Sequence, residues 1–216
     1  MIHNLAYVHA NAKIGKNVTI EPFAYVAGDV EIGDDTWIGP NAIIFDGARI
    51  GKNCKIFPGA SVSAVPQDLK YKGEPTLTII GDNTVIREGV TLNKGTTANM
   101  ATVIGNNCLL MAYVHVAHDC VIGNNCIIVN SVQLAGHILI DDWVMIGGTS
   151  AIQQFIRIGA HSFVTGGALV RKDIPPFTKA AREPLSYCGI NSVGLRRRGF
   201  SNEQINDIAE IYRTIY

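Results

Sequence analysis

The chain has 216 residues with 18 basic and 18 acidic side chains, so its formal net charge is zero. Zero net charge provides no strong field for attracting nucleic acid, and no apolar run reaches the about 20 residues of a membrane-spanning helix. The length allows one or two domains and a sizeable core.

An aliphatic residue recurs at every sixth position along most of the chain. Four residues after each one, the side chain is usually small or β-branched. Six and four are both even, so both positions point to the same face of a strand, whereas a helix would rotate them apart. The pattern predicts short strands in three-sided coils of eighteen residues, stacked as a parallel β-helix. The aliphatic positions are Val8, Ile14, Ile20, Val26, Ile32, Ile38, Ile44, Ile50, Ile56, Val62, Ile80, Ile86, Leu92, Ile104, Leu110, Val116, Ile122, Ile128, Leu134, Ile140, Ile146, Ile152, Ile158, Val164 and Val170.

Glycines and cysteines occupy regular places in this repeat. Glycine often follows the aliphatic residue, as at Gly33 and Gly105, which we interpret as a sharp backbone turn. Four of the five cysteines fall at the small inward position and show no CxxC metal spacing: Cys54, Cys108, Cys120 and Cys126. The N-terminus begins in the repeats and shows no signal-peptide pattern. Reduced cysteines without a signal predict a cytoplasmic protein.

Two breaks and a tail interrupt the repeat. Residues 63–78 and 97–102 read as loops in a β-helix domain that spans residues 1–176. Residues 177–216 read as a C-terminal extension with α-helices, which caps the solenoid. A short helix over 191–198 is predicted to stop at Gly199, and Ser201 to Gln204 form a capping box for a second helix. Because the sequence stops at or just after that helix, we expect either a truncated or a naturally short extension. The apolar stripe of the second helix is Ile205, Ile208, Ala209, Tyr212 and Ile215.

Residues eighteen apart stack in one column, about 4.8 Å apart by strand spacing. One column contains His118, Gly136, Gln154 and Lys172, and the next contains Asp119, His137 and Phe155. His115 lies on the same coil as His118. The repeat therefore predicts a cluster of three histidines, an aspartate and a glycine on the outer surface.

Three interpretations of this cluster remain open. Three converging imidazoles could bind zinc, although the spacing is weak support. The residues could instead form an oligomer interface. In the third interpretation, a neutral histidine takes the proton of an alcohol that attacks a thioester, and a backbone N–H holds the oxyanion. No serine or cysteine nucleophile accompanies the histidines, which favours direct transfer over a covalent intermediate.

Four segments resemble one known family over essentially the whole chain. They read QDLKYKGEPT at 67–76, HVAHDC at 115–120, LAGH at 134–137 and GLRRRGFS at 194–201. These segments resemble the UDP-N-acetylglucosamine acyltransferases of lipid A biosynthesis. The hexapeptide repeats alone are weakly specific, whereas the first two segments together are highly specific.

The resemblance implies a left-handed β-helix that assembles as a homotrimer with active sites between subunits. It implies transfer of a 3-hydroxyacyl group from acyl carrier protein to the glucosamine 3-hydroxyl of UDP-N-acetylglucosamine, the first step of lipid A biosynthesis. No metal and no cofactor are implied beyond the carrier's phosphopantetheine-linked acyl group. By resemblance, His118 is the general base, Asp119 supports it and Gly136 donates to the oxyanion. A bacterium of Gram-negative type is the implied source.

The resemblance also implies substrate-binding positions. Asp68, Lys70 and Tyr71 match a loop that reaches a neighbouring subunit's site. His115 and His137 match positions that line the sugar and acyl region, and Gly166 is also carried over as a substrate-binding position. Gln154, Asn191 and Arg198 match nucleotide contacts, and Arg197 and Arg198 lie where the carrier protein is met. Arginine suits phosphate through its planar fork, although a solvated helix end would explain the same run.

Some positions depart from the family pattern. Gln153 stands where many members have histidine, Asn93-Lys94 replaces a His-Arg pair, and Glu183-Pro184 replaces an Asn-His pair. These changes leave acyl length and substrate contacts open. The alternatives are the related N-acyltransferase, which adds a uridine-binding domain before its coils, an O-acetyltransferase that uses acetyl-coenzyme A, and a solenoid without catalysis. The acceptor group, 3-hydroxyl or 3-amino, also stays open.

Overall fold

The computed structural model describes residues 1–215. Within this range the chain forms 27 strands, most of them two residues long, and two helices. In chain order the strands are β1 (Tyr7–Val8), β2 (Lys13–Ile14), β3 (Thr19–Ile20), β4 (Tyr25–Val26), β5 (Val30–Ile32), β6 (Trp37–Ile38), β7 (Ile43–Ile44), β8 (Ala48–Ile50), β9 (Lys55–Ile56), β10 (Ser61–Ala64), β11 (Leu77–Ile80), β12 (Val85–Ile86), β13 (Thr91–Asn93), β14 (Ala101–Ile104), β15 (Leu109–Leu110), β16 (His115–Val116), β17 (Val121–Ile122), β18 (Ile127–Ile128), β19 (Gln133–Leu134), β20 (Leu139–Ile140), β21 (Met145–Ile146), β22 (Ala151–Ile152), β23 (Arg157–Ile158), β24 (Phe163–Val164), β25 (Leu169–Val170), β26 (Thr178–Ala181) and β27 (Ser186–Ile190). The helices are α1 (Ser192–Arg197) and α2 (Asn202–Ile215).

The strands form the three faces of a triangular prism. Sheet 1 has the order β1-β4-β7-β10-β13-β16-β19-β22-β25, sheet 2 has β2-β5-β8-β11-β14-β17-β20-β23, and sheet 3 has β27-β26-β24-β21-β18-β15-β12-β9-β6-β3. Each coil adds one strand to each sheet, and neighbouring strands of successive coils pair in parallel. The architecture is a left-handed parallel β-helix of about eight coils, which confirms the predicted fold.

The aliphatic repeat positions fill the interior. Ile122 and Ile128 are 1% and 0% exposed, and the four cysteines of the inward small position are also buried. One hydrophobic cluster runs from Val18 to Ala180 along the prism. The six-residue period therefore specifies the core, because it places every aliphatic side chain on the inner face of its strand.

The glycines that follow the aliphatic residues have a different role from the predicted one. The left-handed corner residue comes two positions later and is frequently Asn or Asp, as at Asn17, Asp35 and Asn107. A Cβ on Gly33 would lie 2.6 Å from the backbone carbon of Gly51 on the next coil. Glycine is required here because successive coils approach closely, so the prediction of a sharp turn at the glycine itself is wrong.

Two loops interrupt the coil, with bounds that differ from the prediction. The first runs over residues 65–76 between β10 and β11, and the second over 94–100 between β13 and β14. The predicted bounds were 63–78 and 97–102. Strands take up the ends of the predicted loops, because β10 extends to Ala64 and β11 and β14 begin at Leu77 and Ala101. The second loop begins earlier than predicted, because β13 ends at Asn93.

Both loops leave sheet 1 and return in sheet 2. We call this corner the 1–2 edge; it comprises both loops and residues 117–120, 135–138 and 153–156. The 2–3 edge includes residues 123–126, 141–144 and 159–162, and the 3–1 edge includes residues 147–150 and 165–168. The prism thus has three separate edges on which functional side chains are placed.

The C-terminal extension begins with a hairpin that the sequence did not predict. Strand β26 continues sheet 3 in parallel with β24, and β27 returns antiparallel to β26. Sheet 3 therefore continues past residue 176, and a domain division there stays a prediction.

The helices follow the hairpin. Asn191 caps α1, Gly199 follows it at φ +84°, and Ser201 and Gln204 form both hydrogen bonds of the predicted capping box. On α2, Ile205 and Tyr212 are buried, Ile208 and Ala209 are half-buried, and Ile215, at the end of the same stripe, is 63% exposed. Neither helix within residues 1–215 is long and apolar enough to cross a bilayer.

Candidate active site

The 1–2 edge brings the predicted histidine cluster together. The backbone N–H of His137 donates to the carbonyl of His118 at 3.1 Å, and that of Phe155 donates to Gly136 at 3.2 Å. These bonds join successive coils in the predicted columns. His118, Asp119, Gly136 and His137 therefore lie on adjacent rungs of one corner.

His118 and Asp119 form the central pair. Nδ1 of His118 lies 2.9 Å from Oδ2 of Asp119, and the His118 side chain is 14% exposed while that of Asp119 is fully buried. An ionised carboxylate accepts hydrogen bonds only, so Nδ1 carries the proton. Nε2 of a neutral His118 is then the unprotonated nitrogen, as a general base requires.

Asp119 is held in its ionised form by its neighbours. Burial alone would raise the pKa of this carboxyl group, but hydrogen bonds from the Thr96 hydroxyl, the Thr96 N–H and His118, with the charge of His137, outweigh burial and lower the pKa. Asp119 adopts the left-handed corner conformation, with φ +60°. The backbone conformation therefore sets the direction of the Asp119 side chain, and neighbouring residues satisfy its hydrogen bonds.

His137 and Phe155 form one wall of the corner. The His137 ring stands edge-on to His118 at a centroid distance of 5.0 Å and stacks on Phe155 at 4.7 Å. His118, Asp119 and His137 each offer a metal-ligand atom, all within 4.8 Å of one another. These three are the residues that could share a metal ion in the described part of the chain.

Gly136 packs directly against His118. A Cβ at Gly136 would lie 2.8 Å from Cε1 of His118, so a side chain would displace the imidazole. Within residues 1–215 the Gly136 N–H has no hydrogen-bond acceptor. A free backbone donor beside His118 has the placement that an oxyanion donor would need.

The first loop brings a second carboxylate to His118. Oδ2 of Asp68 lies 4.0 Å from Nε2 of His118, and Oδ1 of Asp68 accepts from the Lys70 N–H at 2.9 Å. The Tyr71 hydroxyl donates to the Glu74 carbonyl within the same loop at 2.9 Å. The Lys70 side chain is exposed. The loop therefore adds Asp68 to the His118 side of the corner and leaves Lys70 free.

The neighbouring cysteine is unsuited to nucleophilic attack. Cys120 is fully buried, and burial raises the pKa of its thiol to about 12. Its Sγ donates inward to the Ala135 carbonyl at 3.0 Å. The geometry is therefore consistent with direct transfer to the acceptor rather than with an acyl-cysteine intermediate.

His115 lies on the outer face of sheet 1. Its Nδ1 is 2.8 Å from the Thr91 hydroxyl oxygen, and burial lowers the pKa of the imidazole. His115 is therefore neutral near pH 7. It lies in strand β16, immediately before the corner that contains His118. Gln154, on the coil above Gly136, is exposed.

The corner is open on its outer side. A cavity of about 620 Å³ lies elsewhere, between the last coil and the β26–β27 hairpin, and its lining includes Leu169, Lys172 and Tyr187 but none of the residues that contact His118. A small-molecule site normally buries most of its ligand. The His118 corner of one copy therefore lacks an opposite wall.

Comparisons with known proteins point to one family. The family model described as bacterial transferase hexapeptide (six repeats) matches residues 29–64 and 101–136, and the model described as Udp N-acetylglucosamine O-acyltransferase, Domain 2, matches residues 173–216. The crystal structure of a UDP-N-acetylglucosamine acyltransferase from Bacteroides fragilis 9343 is 54% identical and has a TM-score of 0.99, with 100% of this chain and 85% of that chain covered. The chain belongs to the UDP-N-acetylglucosamine acyltransferase family.

Two further members of this acyltransferase family are also similar to the chain. The structure from Francisella novicida is 43% identical with a TM-score of 0.98, and covers 100% of this chain and 80% of that chain. The acyl-[acyl-carrier-protein]--UDP-N-acetylglucosamine O-acyltransferase of Janthinobacterium sp. (strain Marseille) is 51% identical over 158 residues, which are 73% of this chain and 60% of that protein. The match thus spans about 60% of the length of this curated relative.

Three predicted substrate positions of the acyltransferase family lie on a different edge. Asn191 caps α1 and donates through Nδ2 to the His161 carbonyl at 2.9 Å, so α1 docks on the 2–3 edge. The Arg198 guanidinium lies over Trp143, 5.6 Å from the ring centroid. Arg197 is exposed on the same helix. Within one copy these residues are not part of the His118 corner.

Gly166 lies on the third edge. It stacks on the coil above Gly148, where a Cβ would be 3.1 Å from the Gly148 carbonyl oxygen. The residues carried over from the acyltransferase family therefore occupy all three edges of one prism. A single site that contains them all needs more than one copy of the chain.

The structure also locates residues that depart from the family pattern. Asn93 is buried beside the first loop, where Nδ2 donates to the Val65 carbonyl at 3.0 Å and Oδ1 has no partner within residues 1–215. Gln153 and Glu183 are exposed. Asn93 therefore supports the loop that contains Asp68.

Sequence reasoning missed Thr96 and Asn99 of the second loop. Both hydrogen-bond to Asp119. The one available signal was the break in the repeat, which lies about one coil before Asp119, but a break does not specify where its side chains point.

Proposed function

We propose that this chain transfers a 3-hydroxyacyl group from acyl carrier protein to the glucosamine 3-hydroxyl of UDP-N-acetylglucosamine, the first step of lipid A biosynthesis. The observation that carries the proposal is the His118–Asp119 pair beside the free N–H of Gly136, in a chain of this family. A hydroxyl acceptor fits this pair, because an alcohol needs a base to remove its proton as it attacks. The choice of a hydroxyl over an amine is supported by the similar proteins, which are named O-acyltransferases.

His118 acts first as base and then as acid. Nε2 of His118 takes the proton of the 3-hydroxyl while the hydroxyl oxygen attacks the thioester carbonyl carbon. The Gly136 N–H donates to the developing oxyanion. The carbon–sulfur bond then breaks, an ester remains on the sugar, and the proton returns from His118 to the carrier's thiolate. Asp119 keeps the proton of His118 on Nδ1 and stabilises the imidazolium between the two steps.

The remaining residues bind the substrates. Asp68, Lys70 and Tyr71 are assigned to the sugar nucleotide through the first loop, and His115, His137, Gln154 and Gly166 to the sugar and acyl regions. Asn191 and Arg198 are assigned to the nucleotide, and Arg197 with Arg198 to the phosphates and acidic surface of the carrier protein. The exposure of Lys70 and Arg197 supports these assignments, since both side chains are available to phosphate.

A homotrimer would complete the site. Outward apolar side chains form a stripe on sheet 3 between Lys55 and Lys179, and a second stripe on sheet 2 between Arg49 and Arg157. The sheet 3 stripe is Val85, Leu109, Ile127, Met145 and Phe163, and the sheet 2 stripe is Ile79, Val103, Val121 and Leu139. Apolar stripes on an outer surface support contacts between copies. Because the stripes lie on different faces, the contacts are heterologous, and they form a trimer when the rotation between neighbouring copies closes after three.

We propose a cytoplasmic enzyme of a Gram-negative-type bacterium, without a metal or other cofactor. The five cysteines Cys54, Cys108, Cys120, Cys126 and Cys188 are free, which fits a reducing compartment. His118 needs Nε2 unligated for proton transfer, and Asp119 already occupies Nδ1.

Mass spectrometry of the products tests the function. The protein is incubated with acyl carrier proteins bearing 3-hydroxyacyl groups of defined length and with UDP-N-acetylglucosamine, and the expected product carries one ester-linked acyl group. A parallel reaction with the 3-amino sugar nucleotide, one with acetyl-coenzyme A and one after treatment with a chelator complete the set. Preference for the amine or for acetyl-coenzyme A would overturn the acceptor or donor, and loss of activity on chelation that zinc restores would overturn the metal-free mechanism.

A further inference from the structure

None of the residues assigned to catalysis or to substrate binding belongs to the second loop, residues 94–100. This loop lies beneath Asp119 on the 1–2 edge, where an uninterrupted coil would place only Ala101, eighteen residues before Asp119. Its base is tightly built: a Cβ on Gly95 would lie 2.4 Å from the Ala101 nitrogen, and the Thr76 hydroxyl donates to the Gly95 carbonyl. The loop is therefore fixed to the coil and to the end of the first loop.

The second loop and the start of strand β14 together bind every polar group of Asp119. The Thr96 hydroxyl donates to Oδ2 at 2.6 Å, and the Thr96 N–H donates to Oδ1 at 2.9 Å. Asn99 donates through its N–H to Oδ1 at 3.3 Å and through Nδ2 to the Asp119 carbonyl at 3.2 Å. The Asp119 N–H donates to the Thr102 hydroxyl oxygen at 2.9 Å.

The Thr96 hydroxyl contacts the oxygen that His118 uses. Oδ2 of Asp119 accepts both from Thr96 and from Nδ1 of His118, whereas the two backbone N–H donors of the loop bind Oδ1. Without the Thr96 hydroxyl, the loop would hold only Oδ1, and Oδ2 would bind the His118 side chain alone. The terminal torsion of an aspartate is broad, so Oδ2 and His118 could then shift together. The Thr96 hydroxyl prevents that shift and fixes the direction in which His118 is held.

We propose that Thr96 is a positioning residue for acyl transfer, acting through Asp119 to fix the tautomer and orientation of His118. The inference rests on the proposed function for its kinetic effect. Residues that orient a functional side chain through hydrogen bonds are a general requirement of precise sites. The second break in the repeat thus supplies the support for the general base.

Three variants at two adjacent positions test the role of the hydroxyl. Thr96→Val keeps the shape and the backbone N–H but removes the hydroxyl, and is expected to lower kcat about tenfold, part of the contribution of a positioned base. The KM for UDP-N-acetylglucosamine should change by less than about twofold, because ground-state binding is retained. Thr96→Ser should restore most of the turnover. Thr97→Val, on the exposed next residue, is the matched control and should match the unmodified protein.

A variant of Asp119 separates positioning from a general structural effect. In an Asp119→Ala background, Thr96→Val should cause no further loss of kcat, because the residue through which it acts is gone. A full additional tenfold loss there, or near-normal turnover of Thr96→Val alone, would overturn the proposal. Melting temperature and oligomeric state are measured for every variant.

Nitrogen-15 NMR of the His118 imidazole provides a readout that needs no substrate. The unmodified protein should carry its proton on Nδ1, and Thr96→Val, or Thr96→Ala if the valine variant does not assemble, should show a mixture of tautomers. An unchanged tautomer would overturn the proposal. If the unmodified protein lacks acyl transfer, the proposed function fails, but this measurement still decides the role of Thr96.

Discussion

At the residue scale, the proposed chemistry depends on a buried charge beside an accessible imidazole. Asp119 is fully enclosed and His118 is nearly so, yet Nε2 of His118 faces the side from which Asp68 approaches. A buried carboxylate is costly unless it is hydrogen-bonded, and here each of its oxygens has partners. The pair therefore fixes one imidazole nitrogen of His118 and leaves the other open to an acceptor.

Replacement of His118 tests the base directly. His118→Ala should lower turnover by at least about 10²-fold, because the 3-hydroxyl then has no positioned base. His137→Ala is the matched comparison on the next coil and should cost less, since His137 takes no proton in this scheme. Turnover, melting temperature and oligomeric state are measured together. Near-native turnover of His118→Ala, or a loss that follows unfolding, would show that His118 is not the base.

The stacking of His118, Asp119, Gly136 and His137 was predictable, because the eighteen-residue register alone determines which corner residues are neighbours. The contacts from Thr96 were not predictable, because a loop outside the register has no periodicity to fix its path. The edge on which Arg198 lies was also not predictable from the sequence. It depends on the packing of α1 against Trp143 and His161, which lies beyond the repeat.

At the element scale, the coil corners combine two constraints. At most corners one residue adopts a left-handed conformation, and where a glycine stands two positions earlier, as Gly33 does before Asp35, it lies close to the next coil. The repeat predicted the strands, because the left-handed residue and the closely packed residue both lie between strands and leave the six-residue spacing intact. It failed at β26 and β27, where pairing in sheet 3 continues without six-residue spacing.

A pair of glycine substitutions on one coil tests the close approach. Gly33→Ala places a Cβ 2.6 Å from backbone of the next coil, which has no room to move. It should reduce the free energy of unfolding by about 1–3 kcal/mol, as overpacking does. Gly28→Ala is the control, because its Cβ would meet the His9 side chain at 3.0 Å, which can shift. Chemical denaturation compares the two variants, and equal stability would contradict the interpretation.

At the scale of the whole molecule, charged positions end both apolar stripes. On sheet 3 the outward stripe begins above Lys55 and ends below Lys179. Such bounded patches are typical of contact surfaces with a polar rim. The alternation of inward and outward residues makes the stripe readable in the sequence, but the partner that covers it is a proposal.

An arginine in the middle of the stripe tests the assembly. Ile127→Arg should prevent the homotrimer and with it turnover, because a charge is buried without a partner. The fold should persist, since the side chain points away from the core that contains Ile128. Lys55→Glu, below the stripe on the same sheet, is the control. Light scattering measures the mass of the assembly. A fully active monomer, of the unmodified protein or of Ile127→Arg, would contradict the trimer.

The separation of the functional residues onto different edges has a consequence for mixed assemblies. If His118 and Arg198 meet only across two copies, then a His118→Ala chain and an Arg198→Ala chain are each inactive alone but repair one another when they share a ring. A ring of both kinds always contains one junction where an intact His118 edge faces an intact Arg198 edge. Co-refolding the two inactive proteins should therefore restore up to about a third of the normal rate. If one copy supplied both residues, the mixture would stay inactive.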